Sequence, residues 1–400
     1  MTQRFRIGAA VLAVLGLVLV GLKGGPAAAT KAPGGGAPPE VKIGLPIPLS
    51  GSGASIGQRF QKAATLALED LNKMAAGKMA FVSATADSQC EPKGAATAAR
   101  KLILQDQVNV MVGELCSSAT LAIKDLAGQN KVPLVVPDSS ALNITEQGNP
   151  YTFRIIPHEV HQHTALARVA INYFQLKTFV VAYEQTDAGV GAGKAFINEA
   201  KRLGGQILDE IALHRDSPDF TPVVTKIKGA NPAALHLTML LDPSVRFLKA
   251  LHEQGVAKPV LSSIWYAYPL FEQLTGPASE GHIRQLFYIS SSKDPLAADF
   301  TKRFTAKFPG EDPDFNHAQF YVAVRLVGEA ALKYGPSRED IRRGVAATRE
   351  YPSAIGPLTF DDKNQVRLTP QSIIFIQTKG GKAIILDDQP GFDKKKILGF

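Results

Sequence analysis

Short apolar runs alternate with segments of helical periodicity along most of the chain. Runs at 41–45, 79–82, 108–112 and 132–136 read as strands. The stretches 58–71, 93–104 and 119–129 between them carry apolar residues at helical spacing. After Pro150 the rhythm restarts. It predicts helices over 166–174, 193–203, 220–228 and 245–254, and strands over 178–182, 206–211, 234–238 and 260–264. Strands that are apolar throughout are buried on both faces, which predicts an α/β fold of parallel sheets covered by helices, with right-handed crossovers. Two such runs predict two doubly wound lobes. Ligands of doubly wound sheets bind outside the carboxyl ends of the strands. The loops that follow the strands, in a cleft between the lobes, are therefore where site residues are expected.

One apolar run, at 7–22, departs from this rhythm. Arg4 and Arg6 precede it, and Ala27-Ala28-Ala29 offers a small-residue cleavage site before Thr30. Residues 1–29 thus read as a secretory signal peptide, and the chain as exported to the periplasm. An uncleaved anchor is the alternative, although the run falls short of the about 20 apolar residues a spanning helix needs. Residues 30–40, rich in Ala, Pro and Gly, read as a disordered spacer. No later apolar run is long enough to span a bilayer, and the absence of cysteine at the cleavage site argues against a lipoprotein. Without Arg4, Arg6 and Lys23 the formal charge falls from +8 to +5. Charges of both signs are interspersed, with no basic stripe and no interleaved aromatics, so nucleic acid is not an expected partner. The 2 cysteines, Cys90 and Cys116, either pair or stay as buried free thiols. Export favours pairing, which stabilises a chain by about 3 kcal/mol for a loop of this size.

Several motifs invite chemistry. Gly53-Ala54-Ser55-Ile56-Gly57 has the form of a G-x-S-x-G nucleophile elbow between a strand and a helix. It reads equally as a Gly/Ser loop whose free N–H groups suit an anion. Gly189-Val190-Gly191-Ala192-Gly193-Lys194 resembles a phosphate loop but has Ala188 and Ala195 where the motif requires glycine and Ser/Thr, so it is rejected. His158, His161 and His163 with Glu159 have a spacing that a metal ion accepts, yet a solvated helix start explains them without one. Trp265, Tyr266 and Tyr268 follow a strand and serve either as packing or as a cleft wall. Most informative are Cys116-Ser117-Ser118 and Pro137-Asp138-Ser139-Ser140, each at the end of a strand. Serine is a common helix N-cap. Two adjacent parallel strands ending in Ser-Ser, however, bring hydroxyl and N–H donors together in a way that suits a carboxylate.

At these residues the chain resembles the type I periplasmic solute-binding proteins of branched-chain amino acid (Leu/Ile/Val) ABC importers. The resemblance rests on Ile43-Gly44, Pro48-Leu49-Ser50-Gly51, Asp87-Ser88-Gln89-Cys90-Glu91-Pro92-Lys93, Gly113-Glu114-Leu115-Cys116-Ser117-Ser118 and Gly356-Pro357-Leu358-Thr359-Phe360-Asp361. It implies a Cys90–Cys116 disulfide and two lobes joined by three crossings, placed near Pro157, Ile289 and Gly356. The first lobe is then 41–157 with 289–356, the second 158–288 with 357–390, and 391–400 a tail. Asn364 stands where the family often has glycine in a turn; asparagine also tolerates a left-handed conformation.

The resemblance further implies that Ser118 and Ser140 hold a ligand carboxylate, helped by backbone and by Ser117, Asp138 and Ser139. The rest of the family's site is replaced. Ile56 stands for an aromatic residue, Ala188 or Asp187 for one tyrosine, and Leu240 for another. Ile264 or Trp265 stands for the acid that meets the ligand ammonium. A buried ammonium without a carboxylate costs several kcal/mol. Either Asp138, Asp187 or Asp242 supplies that charge, or the ligand has no amine. The expected function is a monomeric solute-binding component that closes on an amino acid or a hydrophobic or aromatic carboxylate and delivers it to a membrane permease. No cofactor, metal or covalent chemistry is expected. The rival readings are a periplasmic sensor of the same fold and a hydrolase using Ser55.

Overall fold

The computed structural model describes residues 37–264, 266 and 268–399; the signal-peptide reading and most of the spacer fall outside them. From Pro38 onward the chain forms two sheets. The first comprises β1 (Glu40–Ile47), β2 (Ala80–Asp87), β3 (Val110–Val112), β4 (Leu134–Val136) and β5 (Thr152–Arg154). Its order is β2-β1-β3-β4-β5 and every pairing is parallel. The second comprises β6 (Thr178–Glu184), β7 (Gln206–Leu213), β8 (Ala234–Thr238), β9 (Val260–Ser262), β10 (Ile283–Leu286), β11 (Ile374–Lys379) and β12 (Lys382–Ile385). Its order is β12-β11-β10-β9-β8-β6-β7. The parallel part repeats the topology of the first sheet, while β11 and β12 add antiparallel strands at one edge that the sequence reading did not anticipate. Both sheets thus reverse strand order beside their first strand, the point at which doubly wound sheets open a crevice.

The helices form by the spacing of their apolar residues. Helix Ala54–Ala75 buries Phe60, Ala63, Ala64, Ala67 and Leu71 on one stripe. Phe60 stacks at 4.4 Å on Phe320 of helix Phe315–Tyr334. The latter helix is buried on nearly every side, so it lacks the polar face by which periodicity is recognised. Among the described residues no helix is long and apolar enough to cross a membrane.

Three stretches carry the chain between the lobes. β5 leads to helix Glu159–Arg168, and β10 leads back to helix Pro295–Lys307 on the first lobe. The third crossing lies later than Gly356. Residues 357–366, expected with the second lobe, pair beside β5 through the Arg154–Gln365 bridge, and Phe360 bridges Val366. Asn364 turns this hairpin with φ 58°. Arg154 is fully buried here. Its guanidinium donates to Gln365 Oε1 at 2.6 Å, to Thr145 Oγ1 at 3.1 Å and to the Ala141 carbonyl. In the stretch read as a tail, helix Lys394–Leu398 buries Ile397 and Leu398 against the second lobe.

Candidate ligand-binding site

A cleft opens between the carboxyl ends of the two sheets. Its first wall is built from Ile56, Leu115, Cys116, Ser117, Ser118, Asp138, Ser140 and Asn316. Its second wall is Thr186, Ala188, Arg215, Leu240 and Ile264. The second wall draws on the loops after β6, β7, β8 and β9, the position that doubly wound topology assigns to ligands.

The chemistry of the first wall begins at helix Ser117–Gln129, whose N-cap Cys116 offers no side-chain acceptor. The first N–H groups of a helix have no partner within it. Ser117 Oγ accepts from Ala141 N at 3.1 Å, tying the end of β3 to the loop after β4. Ser118 and Ser140 line the cleft, and their hydroxyls form no hydrogen bond with the described residues. Together these groups make a set of donors on one side. Ser139 is different. It is buried, shares a 2.6 Å hydrogen bond with Thr120 Oγ1 and donates to the Glu114 carbonyl at 2.9 Å. It staples two loops and does not line the cleft, because alternate residues of the loop face opposite ways.

The disulfide Cys90–Cys116, Cα–Cα 5.2 Å, anchors the same corner. Behind it Glu114 accepts from Ser88 Oγ and from Cys116 N at 2.6 Å. Burial pushes its carboxyl up to about 7.

Asp138 is the one acid that lines the cleft among the described residues. Its Oδ2 accepts from Asn316 Nδ2 at 2.8 Å and from Gln319 Nε2 at 2.6 Å. Burial outweighs these two donors and raises the carboxyl to about 7. Asp187 is exposed at the start of helix Asp187–Arg202 and lines an outer groove, not the inner cleft. Asp242 is likewise exposed, in the first turn of helix Leu241–Glu253.

The second wall is largely apolar, with one cation. Arg215 follows β7 and donates from Nε to Glu184 Oε1 at 2.7 Å. Its Nη1 reaches across the cleft to Ser52 Oγ at 3.2 Å. Sequence reasoning missed both Arg215 and Asn316. The rule that loops after strands carry function points to Arg215, whereas nothing local marks Asn316. Thr186 Oγ1 accepts from Gly189 N at 3.2 Å and caps its helix. Trp265 lies outside the described residues. Tyr266 is core, not cleft wall: it accepts from Ser244 Oγ at 2.8 Å and stacks on Phe271 at 4.7 Å.

The other motifs resolve into packing. A Cβ on Gly57 would lie 1.6 Å from the Pro48 carbonyl oxygen, so this glycine lets the helix abut the loop after β1. Ser55 sits in a separate depression with Asp314 and His317. His317 pairs with Asp314 at 2.8 Å and closes a capping box, while its Nε2 is buried and forms no bond to Ser55. His158 caps its helix and stacks on His161, whereas His163 turns inward to His236 at 2.8 Å, so the three do not converge.

The sequence matches the family described as "Periplasmic binding protein" over residues 40–382. It is 24% identical over 350 residues to a curated "Amino acid binding protein" of Pseudomonas aeruginosa, covering 85% of this chain and 91% of that one. The fold resembles the branched-chain amino acid transporter substrate-binding protein LivJ of Streptococcus pneumoniae, solved with isoleucine. The TM-score is 0.80 at 24% identity, covering 86% and 97% of the two chains. It also resembles a solute-binding protein of an ABC transporter from Rhodopseudomonas palustris, solved with 3,4-dihydroxy benzoic acid. There the TM-score is 0.77 at 24% identity, covering 86% and 95%. With two doubly wound lobes, a cleft at their strand ends and a match over most of its length, the chain belongs to the periplasmic binding protein family.

Proposed function

We propose that the chain is the periplasmic solute-binding component of an ABC importer, and that its ligand is a small carboxylate with a hydrophobic or aromatic body and no amine. One observation carries this reading. The cleft joins hydroxyl and N–H donors on Ser117, Ser118 and Ser140 to apolar walls of Ile56, Leu115, Ala188, Leu240 and Ile264, without a free ionised carboxylate for an ammonium. Asp138 is engaged by two amides and raised to about 7, and Glu184 is taken by Arg215. The ligand bridges the lobes and favours the closed arrangement, which the permease reads. The protein binds and does not turn over its ligand; Ser55 lies in the first turn of helix Ala54–Ala75, apart from the cleft lining.

An amino acid is the second reading, favoured by the fact that Asp138 lines the cleft and can ionise to meet an ammonium. Calorimetric titration of the ligand-stripped mature chain separates the two. Leucine and phenylalanine are compared with the matched acids that lack the amine. Binding of the acids, with the amino acids at least about tenfold weaker, fits the loss of an ammonium partner. Tight binding of the amino acids alone overturns the amine-free reading and makes Asp138 the ammonium partner.

A further inference from the structure

The pocket ends differently at its two sides, and the difference bears on which acids it accepts. Ser118 and Ser140 follow β3 and β4. Arg215 instead reaches across to Ser52, beyond the end of β1. In the sheet order β1-β3-β4 these loops lie in line. Arg215 thus meets the first wall on the β1 side of Ser118 and Ser140. A benzene ring or a short methylene chain would separate two such ends of a ligand. Ile56, Leu115, Ala188, Leu240 and Ile264 give the cleft its apolar surface beside the polar Asp138, Thr186 and Asn316, and among the described residues Arg215 is the one cation in the lining.

Arg215 is held for such a task. A guanidinium carries five N–H donors in a fixed fork. Glu184 takes the Nε hydrogen and forms an ion pair with Nη2, and Ser52 takes one hydrogen on Nη1. At least two donors remain. Glu184 is itself buried and fixed by the Leu240 N–H at 3.3 Å, so the fork is oriented before a ligand arrives. The paired carboxylate also lowers the net charge at this end. A hydroxyl therefore suits the fork as well as a second carboxylate does.

We propose that Arg215 reads an oxygen on the ligand at the end remote from its carboxylate, so that the pocket selects acids whose body ends in a hydroxyl or a second carboxylate. The proposal rests on the amine-free acid reading above. The test is calorimetry on the ligand-stripped mature chain with matched pairs: benzoate against 4-hydroxybenzoate and terephthalate, and hexanoate against adipate. The oxygenated member of at least one pair should bind about tenfold tighter, as a charge-assisted hydrogen bond provides. The affinity ratio within the pair, not either affinity alone, is the readout. In the double variant Arg215→Met/Glu184→Gln, which leaves no buried charge unpaired, that ratio should fall to near one. Arg215→Lys keeps a cation opposite Glu184 but loses the fork, and should also lower the ratio; it serves if the double variant fails to fold by circular dichroism. Acids that bind with no gain from the remote oxygen overturn the role of Arg215 and leave the carboxylate reading standing. A gain that survives both variants does the same. No binding by any of these acids overturns the carboxylate reading itself, and this inference with it.

Discussion

Among the described residues Asp138 is the one acid lining the cleft, so its charge bears on what the cleft can bind. Below about pH 7 its carboxyl is protonated and can donate to a ligand carboxylate; above it, two anions face each other. Affinity for an acid is therefore expected to fall as pH rises through about 7. Asp138→Asn keeps the group neutral, so its affinity should be nearly flat over the same range, measured by calorimetry at pH 6 to 8 (about one unit either side of that value). An unchanged slope in the variant would place the titrating group elsewhere. An amino acid ligand would respond in the opposite sense, losing affinity in Asp138→Asn because its ammonium loses a partner. At this scale the sequence reading named Ser118 and Ser140 from the Ser-Ser pairs that end two adjacent strands, and Ile56, Ala188 and Leu240 from the resemblance to Leu/Ile/Val-binding proteins. Arg215 also lies in a loop after a strand, but beside His214, Asp216 and Ser217 its charge reads as ordinary surface. Asn316 was out of reach in principle: 178 residues separate it from Asp138, and only the packing of helix Phe315–Tyr334 joins them.

Secondary elements were legible where one face is polar. Helix Ala54–Ala75 has a polar face and is found, although it begins before the predicted 58 because the Gly/Ser loop itself turns into helix. The parallel strands carry apolar runs, and every one up to β9 is recovered apart from β5. That strand has only three residues, and its identity rests on pairing with β4. The glycine run at 189–193 is instructive. Its spacing suggests a phosphate loop, yet its role is close approach: a Cβ on Gly189 would lie 2.2 Å from the Glu184 carbonyl oxygen. Gly189→Ala should therefore displace the helix from β6 and destabilise the fold by about 1–3 kcal/mol. A lower urea midpoint at constant slope would show it. An unchanged midpoint would mean that the helix yields without cost.

Across the whole molecule, two doubly wound lobes were foreseen, and the edge strands and the late third crossing were not. Both depend on where a hairpin chooses to pair, which no local pattern records. The disulfide is the main covalent constraint on the first lobe. Its removal in Cys90→Ala/Cys116→Ala, a link 26 residues apart in sequence, should cost about 3 kcal/mol in denaturant unfolding. A loss well below 1 kcal/mol would show that packing alone holds that corner. The division of the cleft has a consequence in time. Ser117, Ser118, Ser140 and Asp138 belong to one lobe; Ala188, Arg215, Leu240 and Ile264 belong to the other. Arg154 ties the loop that carries Ser140 to the hinge hairpin, so this wall is expected to keep its shape while the lobes move. We expect a solute to board the first wall while the protein is open, and the second wall to act on what has already been caught. Substitutions on the first wall should then slow capture, and those on the second should hasten release.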